Sequence, residues 1–304
     1  MSRMLDSTIR SLLFLACTLT SLIARHDADA QASNWAPVEE ALGRKGTLQP
    51  GDVIKFSFPR SDLAVTVGGV AVKPALALGS WVAFKTVAPE QAMAMGDLVL
   101  TDGEVDAVMR ALQAGGVQQT ALHNHVLSET PHVMYMHISA HGDAVKIARA
   151  IHDALAQSKT PIGPAPSAAA PSAADLDTSG IAKALGVAGK LNGVVYQVSV
   201  PRGEAITEMG HEVPPSMGVA TAINFQPTGG GKAAITGDFV LLGAEVNPVI
   251  RALRDHGISV TALHSHLIDE EPRLYFMHFW ANDNAVTLAK GLRAALDQTK
   301  SKKG

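Results

Sequence analysis

One histidine-rich motif occurs twice in this chain. The stretch TALHNHVLSE begins at Thr120, and TALHSHLIDE begins at Thr261, 141 positions later. Each copy has the pattern His-x-His-x-x-x-Glu behind the same Thr-Ala-Leu. Imidazole nitrogens and carboxylate oxygens are donors that zinc and other transition metals bind in proteins. The motif therefore predicts metal chemistry, in two copies.

A third histidine completes each candidate ligand set. Side chains two apart on a strand point to the same face, so we expect the two histidines of each motif to project together. A hairpin that closes through VLSETP would bring a later histidine back opposite that pair. The predicted metal ligands are His123, His125 and His137 in the first copy and His264, His266 and His278 in the second.

The glutamate of each motif lies in the predicted turn, which can move. We interpret Glu129 and Glu270 either as a fourth ligand or as a catalytic general base acting on water that the metal activates. The expected cofactor is a divalent metal. Zinc is favoured, with copper, iron and manganese as alternatives. A metal-dependent hydrolase is the matching reaction class.

The alternative is that the histidines have only a structural role in the packing of the hairpins. A single strand histidine is more often a hydrogen-bonded structural residue than a ligand, and a duplicated hairpin would keep it in both copies. The protein would then be a non-enzymatic binding module for an envelope ligand such as a glycan or a peptide. The sequence does not identify that ligand, or any small-molecule substrate.

The match between the two halves extends well beyond the histidines. GDLVLTDGEVDAVMRAL, from Gly96, corresponds to GDFVLLGAEVNPVIRAL, from Gly237. A stretch rich in Pro, Ala and Ser, with no apolar periodicity, separates the halves and is typical of a linker. The predicted organisation is a first repeat domain at 31–159, a linker at 160–179 and a second repeat domain at 180–304.

The elements of one repeat indicate an α+β fold. Extended runs such as DVIKFSFP and SWVAFK predict strands, and TDGEVDAVMRALQAGG has the acidic first turn, helical apolar spacing and glycine stop of a helix. A second helix follows the hairpin at GDAVKIARAIHDALAQ. We expect two homologous domains, each an antiparallel or mixed sheet with helices on one face.

Two other polar pairs recur at the same offset or close to it. Asp97 and Asp238 follow glycines at predicted strand starts, where turn residues are common, so we interpret them as turn residues. Arg60 and Arg202 each follow a proline at the end of a strand, and we expect them to be solvated there.

The N-terminus predicts export. A basic start, the apolar stretch SLLFLACTLTSLIA and the small-residue site ADAQ are ordered as in a signal peptide of residues 1–30. The expected location is the periplasm or the exterior, with no transmembrane segment in the mature chain, and a lipoprotein processed at Cys17 is the alternative. A net charge of −3 without a Lys/Arg-rich run argues against nucleic acid as a partner.

The repeated hairpin, TALHNH followed by Glu, Pro and MYMH, resembles the LppY/LpqO family of secreted proteins and lipoproteins. The resemblance covers nearly all of the predicted mature chain, as two tandem copies. It implies an exported bacterial protein, and it implies no particular reaction.

Overall fold

The structure is a computed structural model that describes residues 34–164 and 175–302. The predicted signal segment at 1–30, with Cys17, lies outside the described residues, as do residues 165–174 of the predicted linker. Among the residues that are described, no helix combines the length and hydropathy needed to span a membrane.

The first repeat places one helix before its strands, one between them and one after them. Its elements are α1 (Ala36–Leu42), β1 (Thr47–Gln49), β2 (Val53–Pro59), β3 (Thr66–Val67), β4 (Val70–Ala71), β5 (Gly79–Ala88), β6 (Gln91–Thr101), α2 (Asp102–Ala114), β7 (Gln118–His123), β8 (Glu129–Thr130), β9 (Val133–Gly142) and α3 (Ala144–Leu155).

The second repeat has the same order, with one added 3₁₀ turn at Pro215–Met217. Its elements are α4 (Thr178–Leu185), β10 (Lys190–Asn192), β11 (Val195–Pro201), β12 (Thr207–Glu208), β13 (His211–Glu212), β14 (Ala220–Gly229), β15 (Lys232–Leu241), α5 (Gly243–Asp255), β16 (Ser259–His264), β17 (Glu270–Glu271), β18 (Tyr275–Asn284) and α6 (Ala285–Leu296).

Each repeat forms a six-stranded antiparallel sheet. The strand orders are β1-β2-β5-β6-β9-β7 and β10-β11-β14-β15-β18-β16, so equivalent strands hold equivalent places. A small three-stranded sheet accompanies each large one, in the orders β4-β3-β8 and β13-β12-β17. The predicted α+β fold of two homologous domains is therefore confirmed.

Helices cover one face of each large sheet because alternate strand residues and the helices' apolar stripes meet there. In the first repeat, Phe56 and Phe84 of the sheet share a buried cluster with Val108 and Leu112 of α2 and Ile151 of α3. The helices have local stop and start signals as well. The Asp143 carboxylate, for example, accepts hydrogen bonds from two backbone amides in the first turn of α3.

The other face of each sheet contacts the opposite repeat. Val53 and Met95 of the first repeat pack with Met217 and Phe276 of the second in one buried cluster. A second mixed cluster joins residues around Val65 to Val195 and Ala234. The described residues of both repeats accordingly belong to one compact unit.

Partly buried polar contacts between the repeats are reciprocal. The Gln197 side-chain amide of the second repeat donates to the Ala75 carbonyl, at 2.8 Å, and Lys55, its counterpart in the first repeat, lies 3.5 Å from the Ser216 carbonyl oxygen. Such mutual contacts are the signature of approximate twofold symmetry.

Each repeat also contains a buried arginine network that the sequence interpretation misjudged. We expected Arg60 and Arg202 to be solvated at strand ends, and that expectation is wrong, because Arg60 is 0% exposed and Arg202 is 3% exposed. The Arg60 guanidinium donates to both carboxylate oxygens of Glu104 and to the Val99 carbonyl. Arg202 makes the same contacts with Glu245 and Val240.

The network joins the end of a strand to the start of a helix. Glu104 also accepts hydrogen bonds from the amides of Thr101 and Lys159, both at 2.8 Å. Burial by itself raises the pKa of Glu104, but these amides and Arg60 outweigh it and hold the pKa below its usual value. Glu104 is therefore an ionised partner of a buried cation.

Glu104→Gln should destabilise the protein because it removes one of the two carboxylates that pair with the buried Arg60, the other being Asp62. We expect a loss of about 2 kcal/mol in the free energy of unfolding, measured by urea denaturation. The matched control is Asp106→Asn two residues later, which breaks an exposed ion pair with Arg110 and should cost less than about 0.5 kcal/mol. Equal effects of the two changes would contradict a structural role for this network.

Candidate metal centre

Two paired strands of each sheet position the histidines. His123 is the last residue of β7, and His125 lies just beyond it in a bend. On the neighbouring strand β9, His137 pairs with Ala121 of β7 and with Asp97 of β6. The predicted hairpin thus brings the three histidines of the first repeat to one place, and the equivalent residues of the second repeat are arranged in the same way.

The six histidines form one cluster between the repeats. Ring centroids lie 3.5 Å apart for His123 and His264, 3.7 Å apart for His137 and His266, and 3.9 Å apart for His125 and His278. Every one of these close pairs joins the two repeats. The sequence predicted one site in each repeat, whereas the structure brings both ligand sets together, because the sheet faces that carry them meet.

The threonine of each TALH motif helps to hold this arrangement. Thr120 lies at a β-bulge between β7 and β9, and its hydroxyl donates to the backbone carbonyl of His266 in the other repeat. Thr261 lies at the equivalent bulge and donates to the carbonyl of His125. A bulge re-aims a side chain away from the regular ladder. These crossed bonds fix the bends that carry His125 and His266.

Two aspartates complete the cluster, and they are residues that the sequence interpretation assigned to turns. That interpretation is wrong: Asp97 lies within β6 and Asp238 within β15, and neither is at a strand start. An oxygen of Asp97 lies 3.5 Å from Nε2 of His125 and another lies 3.9 Å from Nε2 of His137. The Gly-Asp pair repeated in both copies was the available signal.

Asp238 has the equivalent position in the second repeat. One of its carboxylate oxygens lies 3.0 Å from Nε2 of His266, and the other lies 4.0 Å from Nδ1 of His278. Each aspartate therefore contacts two histidines of its own repeat, and those two histidines belong to different close pairs.

The predicted catalytic glutamates lie in the short strands β8 and β17. Both carboxylate oxygens of Glu129 are buried with no hydrogen-bond partner among the described residues, and one lies 3.5 Å from Nε2 of His132. Glu270 accepts a hydrogen bond from the Leu274 amide and pairs with Arg273. Neither glutamate belongs to the candidate ligand groups found in the described part of the chain.

The Nε2 atoms of the six imidazoles are buried in a region that offers them few hydrogen-bond partners. Within residues 34–164 and 175–302, none of the six Nε2 atoms makes a hydrogen bond of good geometry, although that of His266 lies 3.0 Å from a carboxylate oxygen of Asp238. Some Nδ1 atoms are fixed by backbone carbonyls: that of His278 lies 2.7 Å from the Gly237 oxygen, and that of His123 lies 3.1 Å from the Asn124 oxygen. A carbonyl at Nδ1 holds the proton there and leaves a lone pair at Nε2.

All six imidazoles are electrically neutral at physiological pH. Burial, the largest cause, lowers the pKa of His123 and of His266 to about 3 and that of His278 to about 4. Burial likewise lowers the pKa of His125, His137 and His264 far below the ordinary value. The neutral imidazole is the form that binds a metal ion.

The pKa values of Asp97 and Asp238 are shifted in the opposite direction, above their usual value. Burial and the charge of Asp238 raise the pKa of Asp97 to about 8, although Lys55 opposes the shift. Burial raises the pKa of Asp238 to about 6. The Lys55 ammonium lies 3.9 Å from the centre of the Trp81 ring, and burial lowers its pKa to about 8. Strongly perturbed groups of this kind concentrate at functional sites.

Four groups of side chains have ligand atoms close enough to share one ion, with all ligand atoms of a group within 4.8 Å of one another. Two groups combine the repeats and contain histidine alone. Two others contain one aspartate and two histidines of a single repeat. The groups are His123, His137, His264 and His266; His123, His125 and His278; Asp97, His125 and His137; and Asp238, His266 and His278.

Comparison with solved structures gives two weak similarities. The chain is 13% identical to the trimeric bacterial microcompartment shell protein PduB, covering 85% of this chain and 95% of that one, with a TM-score of 0.22. It is 12% identical to EtuB from Clostridium kluyveri, covering 83% and 90%, also with a TM-score of 0.22. No curated protein matches the chain.

A family model, by contrast, matches most of the chain. It matches twice, over residues 36–157 and 179–298, so that each match spans one of the two sheets with its helices. Both matches include the histidines, the aspartate and the glutamate of their repeat. The chain therefore belongs to the family described as Domain of Unknown Function (DUF1259), with two tandem copies of the domain.

Proposed function

We propose that this protein binds a divalent transition metal in the histidine cluster between its repeats. The observation that carries the proposal is the set of six buried Nε2 atoms, which have no hydrogen-bond partner among the described residues. Imidazole and carboxylate together suit zinc best, and they also suit copper, iron and manganese.

The energetic cost of the cluster favours a metal over simple packing. A buried polar group without a partner costs about 1–3 kcal/mol, so six such nitrogens at one interface are a large penalty. Structural histidines normally avoid that penalty through a hydrogen bond at each nitrogen. Here backbone carbonyls accept hydrogen bonds from Nδ1 of His278 and of His123, so that the lone pair of each Nε2 is available to a metal ion.

The reaction class that we propose is metal-dependent hydrolysis in an exported protein. Asp97 and Asp238 are metal ligands in this proposal, in place of the two glutamates. Glu129 is retained as the general-base candidate because its carboxylate is buried and lacks a hydrogen-bond partner among the described residues. Export rests on the order of signal features at 1–30 and on the resemblance to the LppY/LpqO proteins, both of which are sequence arguments.

The double variant His123→Ala/His264→Ala should lose metal, since it removes the central pair of the cluster. We expect the affinity for zinc to fall by more than about 100-fold, measured by titration of chelator-stripped protein against a zinc indicator. The matched control is His132→Ala/His152→Ala, which removes two histidines that the second repeat replaces with arginine. Unchanged affinity in the first variant would refute the proposal and favour the non-enzymatic binding module.

Chelation should destabilise the protein because a ligand that binds only the folded state stabilises it by mass action. At a free metal concentration of about 1,000 times the Kd, the gain is roughly 4 kcal/mol. We expect the melting temperature to fall by several degrees after treatment with EDTA and to recover when zinc is added back. A melting temperature that does not respond to either treatment would contradict metal binding between the repeats.

Asp97→Asn and Glu129→Gln separate the two candidate carboxylates. Asp97→Asn should weaken zinc binding by roughly 10- to 100-fold, because it removes a carboxyl group that loses its proton to bind the ion beside His125 and His137. Glu129→Gln should leave zinc affinity unchanged and abolish any hydrolytic activity found by screening ester, peptide and phosphoester substrates. A larger loss of zinc affinity in Glu129→Gln than in Asp97→Asn would instead indicate that Glu129 is the metal ligand.

A further inference from the structure

We infer that the cluster holds two metal ions, each bound by three histidines, with Asp97 and Asp238 reaching both. This inference rests on the proposed function. The first position consists of His137, His264 and His266, and the second consists of His123, His125 and His278.

The two histidine-only groups cannot each bind an ion through all of their members at the same time. Both contain His123, and the single free nitrogen of an imidazole whose Nδ1 faces a carbonyl binds one ion. His264 occurs only in the first group, and neither of its nitrogens has a hydrogen-bond partner in the described part of the chain. Assigning His264 to the first group and His123 to the second leaves three ligands for each ion.

This division is the one that the duplication requires. An offset of 141 positions converts His123 into His264, His125 into His266 and His137 into His278. The three ligands of one position therefore become the three ligands of the other when the repeats are exchanged. A single ion that the repeats share equally would have to lie on the symmetry axis, whereas the exchange converts one set of three histidines into the other and so places the two sets on opposite sides of that axis.

Ring distances agree with that exchange. In the first position, His266 lies 3.7 Å from His137 and 5.0 Å from His264, between ring centroids. In the second, His125 lies 3.9 Å from His278 and 5.2 Å from His123. The two triads are therefore similar in size as well as in composition, and each takes ligands from both repeats.

The aspartates connect the two positions. Asp97 groups with His125 of the second position and His137 of the first, and Asp238 groups with His266 of the first and His278 of the second. A carboxylate has two oxygens and binds two ions at once when they are about 3.5–4 Å apart, as in two-metal sites. Asp97 is buried and Asp238 is partly buried, and each faces one histidine from either position.

Metal stoichiometry tests the inference directly. Chelator-stripped protein is reconstituted with zinc and desalted, and zinc per chain is measured by mass spectrometry under native conditions. We expect two ions in the unmodified protein, one in His266→Ala, one in His125→Ala and none in the double variant. His152→Ala is the control and should retain two. Circular dichroism of the metal-free variants checks that each one folds.

Each outcome distinguishes the two proposals. One ion in the unmodified protein, abolished by either single substitution, would overturn the two-ion inference and leave the metal-binding proposal standing. No zinc in the folded, unmodified protein at any loading ratio would overturn both. Two ions that are both lost in His266→Ala would overturn the division of ligands into two triads.

Magnetic coupling provides a second readout that does not depend on counting. With copper(II) in place of zinc, two ions bridged by carboxylates should give a coupled paramagnetic resonance spectrum, and His266→Ala should convert it into the spectrum of an isolated ion. A spectrum of isolated copper in fully loaded, unmodified protein would overturn the bridging role of Asp97 and Asp238.

Discussion

The burial of six imidazole Nε2 atoms at one interface is the constraint on which the rest of this structure depends. Each ring contributes a nitrogen that is removed from water and has no hydrogen-bond partner within the described residues, and burial also keeps the rings neutral. A neutral nitrogen with an available lone pair, held away from water, is costly by itself and well suited to a metal ion. Under the proposed function, metal binding and the association of the repeats are therefore coupled, because each histidine-only ligand group takes residues from both repeats.

Local features of the hairpins follow from that requirement. The bulges at Thr120 and Thr261 interrupt the strand ladders, and each leaves one residue unpaired in the sheet. Here each bulge turns a hydroxyl towards the opposite repeat, where it holds the carbonyl of a cluster histidine. The buried networks of Arg60 and Arg202 hold the aspartates in place less directly. Each network connects the strand that carries an aspartate to the helix that follows it. The fold thus fixes the histidines and the aspartates through separate sets of contacts.

The sequence predicted the parts of this molecule that depend on local pattern. Helical spacing predicted α2 and α3, and the offset of 141 positions predicted two similar domains. It did not predict that the two sets of histidines would meet, because the contact between repeats has no periodicity of its own. Asp97 was misassigned for a related reason. Strand β6 is buried on both faces over most of its length, so the alternation that would have placed this residue inside a strand is absent.

The two halves differ in some of the residues beside the histidine cluster, so that its two sides are not equivalent. Tyr135 stacks on His125, whereas its counterpart Phe276 stacks on His266 and lacks a hydroxyl group. Lys55 lies near Asp97, whereas the equivalent Gln197 has no charge. The buried arginine networks, by comparison, are the same in both repeats. Because the fold-determining contacts are duplicated and the charged surroundings of the aspartates are not, the two metal positions of the proposed centre would have the same three-histidine ligand set and different electrostatic environments.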